Sequence, residues 1–264
     1  MKNLFSFWIL LFLFAQISFA QNIEWQKSFG GDSTDYANDI QQTKDGGYIM
    51  AGSSRSIEGD VTGNHGSSDA WIVKLDSSGN LAWQKCLGGS GWDEANAIQQ
   101  TTDGGYVVAG FSSSIDGDVT GNHGSADYWV VKLTANGTLT WQKSLGGSNQ
   151  DVAYSIQQTT DGGYIVAGWS SSLDGEVTGN HGSDDYWIVK LDSSGNLSWQ
   201  KCLGGSDDEE AYSIQQTTDG GYIVAGYSYS TDGEVTGNHG GGDMWIVKLA
   251  AQPRSVTPCS ANQS

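Results

Sequence analysis

Four histidines, His65, His123, His181 and His239, are the first candidates for chemistry, and all sit in one hexapeptide. VTGNHG occurs at 61–66, 119–124, 177–182 and 235–240. Zinc takes three or four N, S or carboxylate ligands at about 2.0–2.3 Å. Each hexapeptide brings one histidine and no cysteine, so a zinc site needs several loops to converge. Calcium is the second option. Carboxylates flank every copy at matched positions: Asp60 and Asp69, Asp118 and Asp127, Glu176 and Asp185, Glu234 and Asp243. Loops of carboxylate, amide and carbonyl oxygen suit a cation that wants six to eight oxygens, although the spacing departs from the D-x-[DN]-x-[DN]-G calcium loop. The third option is structural. Gly63 and Gly66 supply positive φ, while Asn64 and His65 hydrogen-bond the loop to itself or a neighbour.

Aromatic residues form a second set. Of eleven tryptophans, eight fall at two repeated positions and Trp8 lies in the apolar N-terminus, which leaves Trp92 and Trp169. Trp169 belongs to a position that reads Ser53, Phe111, Trp169 and Tyr227 in successive repeats. Aromatic faces beside acids and amides suit stacking on sugar rings, with wedge packing between repeats as the alternative. Trp92, Phe111, Trp169 and Tyr227, with the four histidines, are the candidate ligand-binding residues.

The elements that must position these groups follow from a period of 58 residues. Trp25-Gln26-Lys27 recurs at Trp83, Trp141 and Trp199, and SIQQTTDGGYIVAG is letter-identical at 155–168 and 213–226. A period of this size marks a repeat architecture. Each unit holds four short runs of β-branched and aromatic residues, such as AYSIQQT, YIVAG, MWIVKL and LSWQK, separated by DGG, VTGNHG and DSSGN. Such runs read as strands and such spacers as turns. The spacing predicts an all-β fold, a β-propeller of four blades with four antiparallel strands each. The chain starts on a fourth-type run (23–27) and its last complete run is of the third type (245–249). The N-terminal strand would therefore complete the last blade and close the ring; an open solenoid, or two chains pairing into a larger ring, are the alternatives. In such blades the DGG and SSGN turns share one face. The VTGNHG loops and the GG-x-x-x-D/E connectors share the other, which is longer-looped, more acidic and the better candidate for binding.

Residues 1–20 read as a cleaved signal peptide: Lys2, an apolar stretch from Leu4 to Ala15, and Ser18-Phe19-Ala20 before Gln21. The apolar stretch is too short for a comfortable membrane span. The expected organisation is a leader (1–20), one propeller domain (21–249) and an irregular tail (250–264). The product is expected outside the cell, at its surface or in the periplasm, as a monomer without a membrane span. A formal charge of −18 excludes nucleic acid and anionic membrane as partners. Cys86 and Cys202 share one repeat position, too far apart in a radial fold to bridge, and Cys259 falls in the tail.

DGGYIVAG, DYWIVKLDSSGN and WQK together resemble the tandem repeats of bacterial secreted propeller proteins, over about residues 22–249. That group often carries the label endoglucanase-like, and the resemblance implies the propeller fold and export. No nucleophile elbow, phosphate loop or zinc-protease motif is present. A glycosidase needs two carboxylates at a set separation, and no unique pair stands out among repeated acids. The expected function is non-catalytic binding of a glycan or protein partner on the long-loop face, calcium being the one possible cofactor. The alternatives are a polysaccharide hydrolase and a structural surface or matrix component.

Overall fold

The computed structural model describes residues 21–251; the expected leader and nearly all of the expected tail, including Cys259, lie outside them. Its described residues form four antiparallel sheets and no helix, and no helix is long and apolar enough to cross a membrane. The first blade is β1 (Asp35–Gln42), β2 (Tyr48–Ser54), β3 (Asp69–Leu75) and β4 (Leu81–Leu87). The second is β5 (Asp93–Gln100), β6 (Tyr106–Ser112), β7 (Asp127–Leu133) and β8 (Leu139–Leu145). The third is β9 (Asp151–Gln158), β10 (Tyr164–Ser170), β11 (Asp185–Leu191) and β12 (Leu197–Leu203). The fourth holds three strands, β13 (Glu209–Gln216), β14 (Tyr222–Ser228) and β15 (Asp243–Leu249). Within each blade the strands pair in chain order, as tight turns between neighbours require.

The blades lean on one another in a propeller-like order, each first strand packing on the first and second strands of the blade before it. Three apolar cores fill the three junctions. Ile49, Ala51 and Ile72 meet Ile98, Val108 and Val131 at the first; Val107, Val130 and Ile156 meet Val189 at the second; Ile165, Ile188, Ile214 and Val224 meet at the third. With a blade on each face, β7 and β11 are buried at every residue, which suits their near-continuous apolar run. β15 carries nearly the same letters, but its burial alternates residue by residue because only one face is covered.

Glutamines stitch the first strands together. Gln100 N–H donates to Gln41 Oε1 at 2.7 Å, Gln158 N–H to Gln99 Oε1 at 2.6 Å, and Gln216 N–H to Gln157 Oε1 at 2.6 Å. In return Gln100, Gln158 and Gln216 accept from the amides of Lys44, Thr102 and Thr160 in the preceding blade, each at 2.9 Å. The paired glutamines of IQQT thus satisfy backbone amides that the blade's own ladder leaves open.

The expected ring closure is not formed. Residues 21–34 hold no strand, the fourth sheet stops at three, and no extended contact joins the last blade to the first among the described residues. Instead the N-terminal run lies on the first blade, where Trp25 meets Tyr48 edge-on at 5.6 Å. Trp83–Tyr106 and Trp141–Tyr164 repeat that contact at 5.9 and 5.7 Å. The run occupies the place of a preceding blade's fourth strand and lacks only the third strand to pair with.

Candidate functional site

The VTGNHG loops are tied down by their own polar groups. Asn64 Nδ2 donates to Ser54 O at 3.0 Å, and Gly66 N–H donates to Asn64 Oδ1 at 2.9 Å. His65 Nδ1 lies 2.6 Å from Asp69 Oδ2, which also accepts the His65 N–H at 3.1 Å. His123 with Asp127 and His181 with Asp185 repeat the pair at 2.7 Å, and His239 with Asp243 at 3.0 Å. Gly63 holds φ near +86° as expected of a left-handed position, but Gly66 does not. Gly66 is needed for space: a β-carbon there would sit 2.6 Å from Gly89 O in the connector.

The histidines also reach the next blade. His123 Nε2 lies 3.8 Å from Glu176, and His181 Nε2 3.6 Å from Glu234. The flanking acids are engaged by backbone: Gly30, Gly88, Gly146 and Gly204 donate their amides to Asp60, Asp118, Glu176 and Glu234 at 3.2–3.4 Å. No three or more histidine, cysteine or acidic side chains gather into a metal-holding group among the described residues. Two oxygens of the calcium set, Asp127 Oδ1 and Asp185 Oδ1, are buried without a hydrogen-bond partner.

The acids that open the first strands are internal. Asp93 accepts from Gly89 N–H at 2.7 Å and Ser114 Oγ at 2.8 Å, and Asp151 from Gly147 N–H at 2.9 Å and Ser172 Oγ at 3.0 Å. Burial pushes Asp151 up to about 6, and burial does the same for Asp185. The Asp69 hydrogen bond raises His65 above its ordinary value. The His65–Asp69, His123–Asp127 and His181–Asp185 pairs therefore each hold a proton to higher pH than either group would alone.

Aromatic groups gather at the long-loop end of the first strands. Trp92, half-exposed, packs edge-on against Phe111 at 5.6 Å, with the Arg55 guanidinium 5.6 Å above its ring and its indole N–H 3.2 Å from Glu94. Farther along, Tyr154 and Tyr212 lie 5.0 Å apart, Tyr212 and Tyr227 5.8 Å, and Tyr227 and Tyr229 5.4 Å. Trp169 backs this row: its indole nitrogen is buried beside the Tyr154 hydroxyl. Tyr212 donates its hydroxyl to Glu210 at 2.9 Å. Burial and the neighbouring Asp208 and Glu210 push Asp184 up to about 6. The structure thus brings Trp92 to Phe111 and sets Tyr227 in a tyrosine row. The histidines stand apart: His65 opens on a groove of about 450 Å³ with Thr62, Gln84 and Lys85.

No family model matches the chain. Regulatory protein FlaEY of Caulobacter vibrioides is 29% identical over 168 residues, covering 57% of this chain. The match spans only 18% of that protein's length. A solved structure of a protein of unknown function from Bacteroides caccae aligns with 75% of this chain and 73% of its own, at 10% identity and a TM-score of 0.33.

Sequence reading found one varied column of the site, Ser53, Phe111, Trp169 and Tyr227, and missed a second. Asn38, Asn96, Tyr154 and Tyr212 each sit at the β-bulge of a first strand, where the pairing register slips by one residue. A bulge re-aims the side chain it carries. Asn38 donates to Ala95 O at 3.1 Å and Asn96 to Ala153 O at 2.9 Å, whereas Tyr154 and Tyr212 stack. Aligning the repeats column by column displays that change from amide to phenol. A concavity of about 630 Å³ lies elsewhere, between the second and third blades among the short turns, lined by Lys132, Trp141 and Tyr164. Lys132 is held there by Asp103 at 3.0 Å, in the clamp that closes the turn.

Proposed function

We propose that the chain is an exported, non-catalytic recognition module that binds glycan along the row from Trp92 to Tyr229. One observation carries the reading. The repeat frame is nearly constant, and several positions that vary between repeats, those of Trp92, of the bulge, of Phe111–Trp169–Tyr227 and of Tyr229, gather in this row. There they leave rings half-exposed beside Glu94 and Glu210. Tyrosine and tryptophan offer apolar faces with a polar tip, which suits sugar rings bearing hydroxyls on their edges. Near-equivalent positions on successive blades favour several weak contacts along one polymer.

The test is binding of purified chain to immobilised polysaccharides, with calcium and with a chelator. The expected result is that Trp92→Ala and Tyr212→Ala each weaken retention about tenfold, the loss of about 1.4 kcal/mol of stacking. Unchanged retention in both variants removes the site assignment. Calcium is proposed only through the Asp127 and Asp185 oxygens, and retention that survives the chelator removes it. Asp184 supports a second reading. It is the acid of its column, set among Ser68, Ala126 and Gly242, and a raised carboxyl beside carboxylates is the pattern of a glycosidase acid. Reducing-sugar release from β-glucan that disappears in Asp184→Asn would make the module a hydrolase.

A further inference from the structure

We infer that the two ends of the blade stack are halves of one interface, and that a second copy of this chain supplies the missing half. The chain itself displays the interface three times. Residues 70 and 72 of one blade face the next, as do their equivalents Tyr128 and Val130, and Tyr186 and Ile188; all six are buried. In the last blade the equivalents are Met244 and Ile246, and Ile246 is 56% exposed where Ile188 is 0%. At the opposite end Ile40 is 57% exposed where Ile98 is 4%. Ends of stacked repeats normally carry polar caps; these are apolar. Among the described residues β15 is in addition a sheet edge, a template on which another strand can add.

The complementary piece is the N-terminal run on the first blade. Internal fourth strands pair Trp71 with Cys86, Val73 with Gln84 and Lys74 with Trp83. By the same register Trp245, Val247 and Lys248 would pair with Ser28, Gln26 and Trp25 of the second copy. The side-chain bonds follow. Trp71, Trp129 and Trp187 donate their indole N–H to Gln84, Gln142 and Gln200, each at 2.8 Å. Those glutamines donate to Thr62 O and Thr120 O at 3.1 Å and to Thr178 O at 3.2 Å. Gln26 of the second copy would link Trp245 and Thr236, which line a cavity of about 240 Å³ beside β15. A cavity of about 200 Å³ at the other end is lined by Phe29, Tyr36 and Met50. Gln215 would accept from the Gln42 amide of the second copy, extending the glutamine stitching. His239 would face Asp60 there, as His123 faces Glu176.

A second copy fits better than closure of one chain on itself, because no extended contact brings the last blade to the first among the described residues. The contact is heterologous, so it propagates head to tail and ends in a ring or a filament. It does not depend on what the aromatic row binds.

The test measures the mass in solution of the chain as an exporting host delivers it, against the denatured mass of one copy of the same preparation. Wild type is expected at multiples of one chain, rising with concentration. Ile40→Asp and Ile246→Asp each spoil one end at a site exposed in the folded chain, and each is expected at the mass of one chain. Mixing the two variants restores one good end from each, so an equimolar mixture should run as a dimer and go no further. That complementation also shows that both variants fold. Wild type at the mass of one chain at every concentration overturns the inference, as does a mixture that stays at single-chain mass.

Discussion

His123 and Asp127 illustrate how much of the residue-scale chemistry is spent on the frame. A buried carboxylate shares a proton-bearing ring with its own loop, and the ring's far nitrogen faces an acid of the next blade. Groups held this way make stability depend on pH. Asp151 and Asp185 are pushed by burial from an ordinary 3.8 to about 6, and the Asp185 hydrogen bond raises His181 above 6.5. A folded pKa above the unfolded one means that the fold binds the proton. That stability is full below the unfolded value and is lost as pH rises through the folded one. Opposing this, the Thr101 hydroxyl leads the contacts that hold Asp103 down at about 2, so its contribution is lost only as pH falls through about 2. Asp103 is largely exposed and its weight is small. Calorimetry should find the highest melting temperature near about pH 4–5, with a decline toward neutrality. A melting temperature that climbs from there to neutrality would contradict these assignments.

At the scale of elements, turns and bulges decide what the strands can present. In the DGG turns the two glycines serve different ends. Gly162 holds φ near +85° with open space around it, whereas a β-carbon on Gly163 would collide with Leu191 O and with Lys190 Nζ at 2.5 Å. Gly162→Ala should therefore cost about 1 kcal/mol and Gly163→Ala clearly more, read from urea midpoints; equal losses would refute the distinction. The glutamine stitching gives a sharper test. Gln157→Ala leaves the Gln216 amide without its acceptor, at a cost of about 1–3 kcal/mol. Hydrogen exchange should show that amide losing protection while Gln158, held by Gln99, keeps its own. The strands from Asp35 onward and the turns between them were legible, because alternating apolar residues, Gly-rich spacers and a fixed period are local signals, whereas the run at 23–27 carries the same signals and forms no strand. The bulge column was not: Tyr154 and Tyr212 lie in ordinary strand letters, and only pairing with β10 and β14 shows the slipped register that turns them outward.

At the scale of the molecule, whether four blades close depends on the angle between neighbours, which sums over junctions and leaves no trace in any one repeat. Ring closure was therefore the expectation that failed, and with it the strand expected at 23–27, which finds no third strand to pair with. An open stack with apolar ends and a charge of −18 carries opposing tendencies. Apolar ends draw copies together and like charge drives them apart, so added salt should raise the associated fraction by screening. Sedimentation at low and high sodium chloride measures this, and association that weakens with salt would point to ion pairing across the ends. The glutamine stitching has one more consequence, and it is genetic. Because each junction uses the same side chains in the same register, a blade meets an equivalent neighbour whichever copy precedes it. Unequal recombination between near-identical repeats can therefore add or remove 58 residues in frame without breaking a core. Substitution at the bulge column can meanwhile rewrite what a single blade touches.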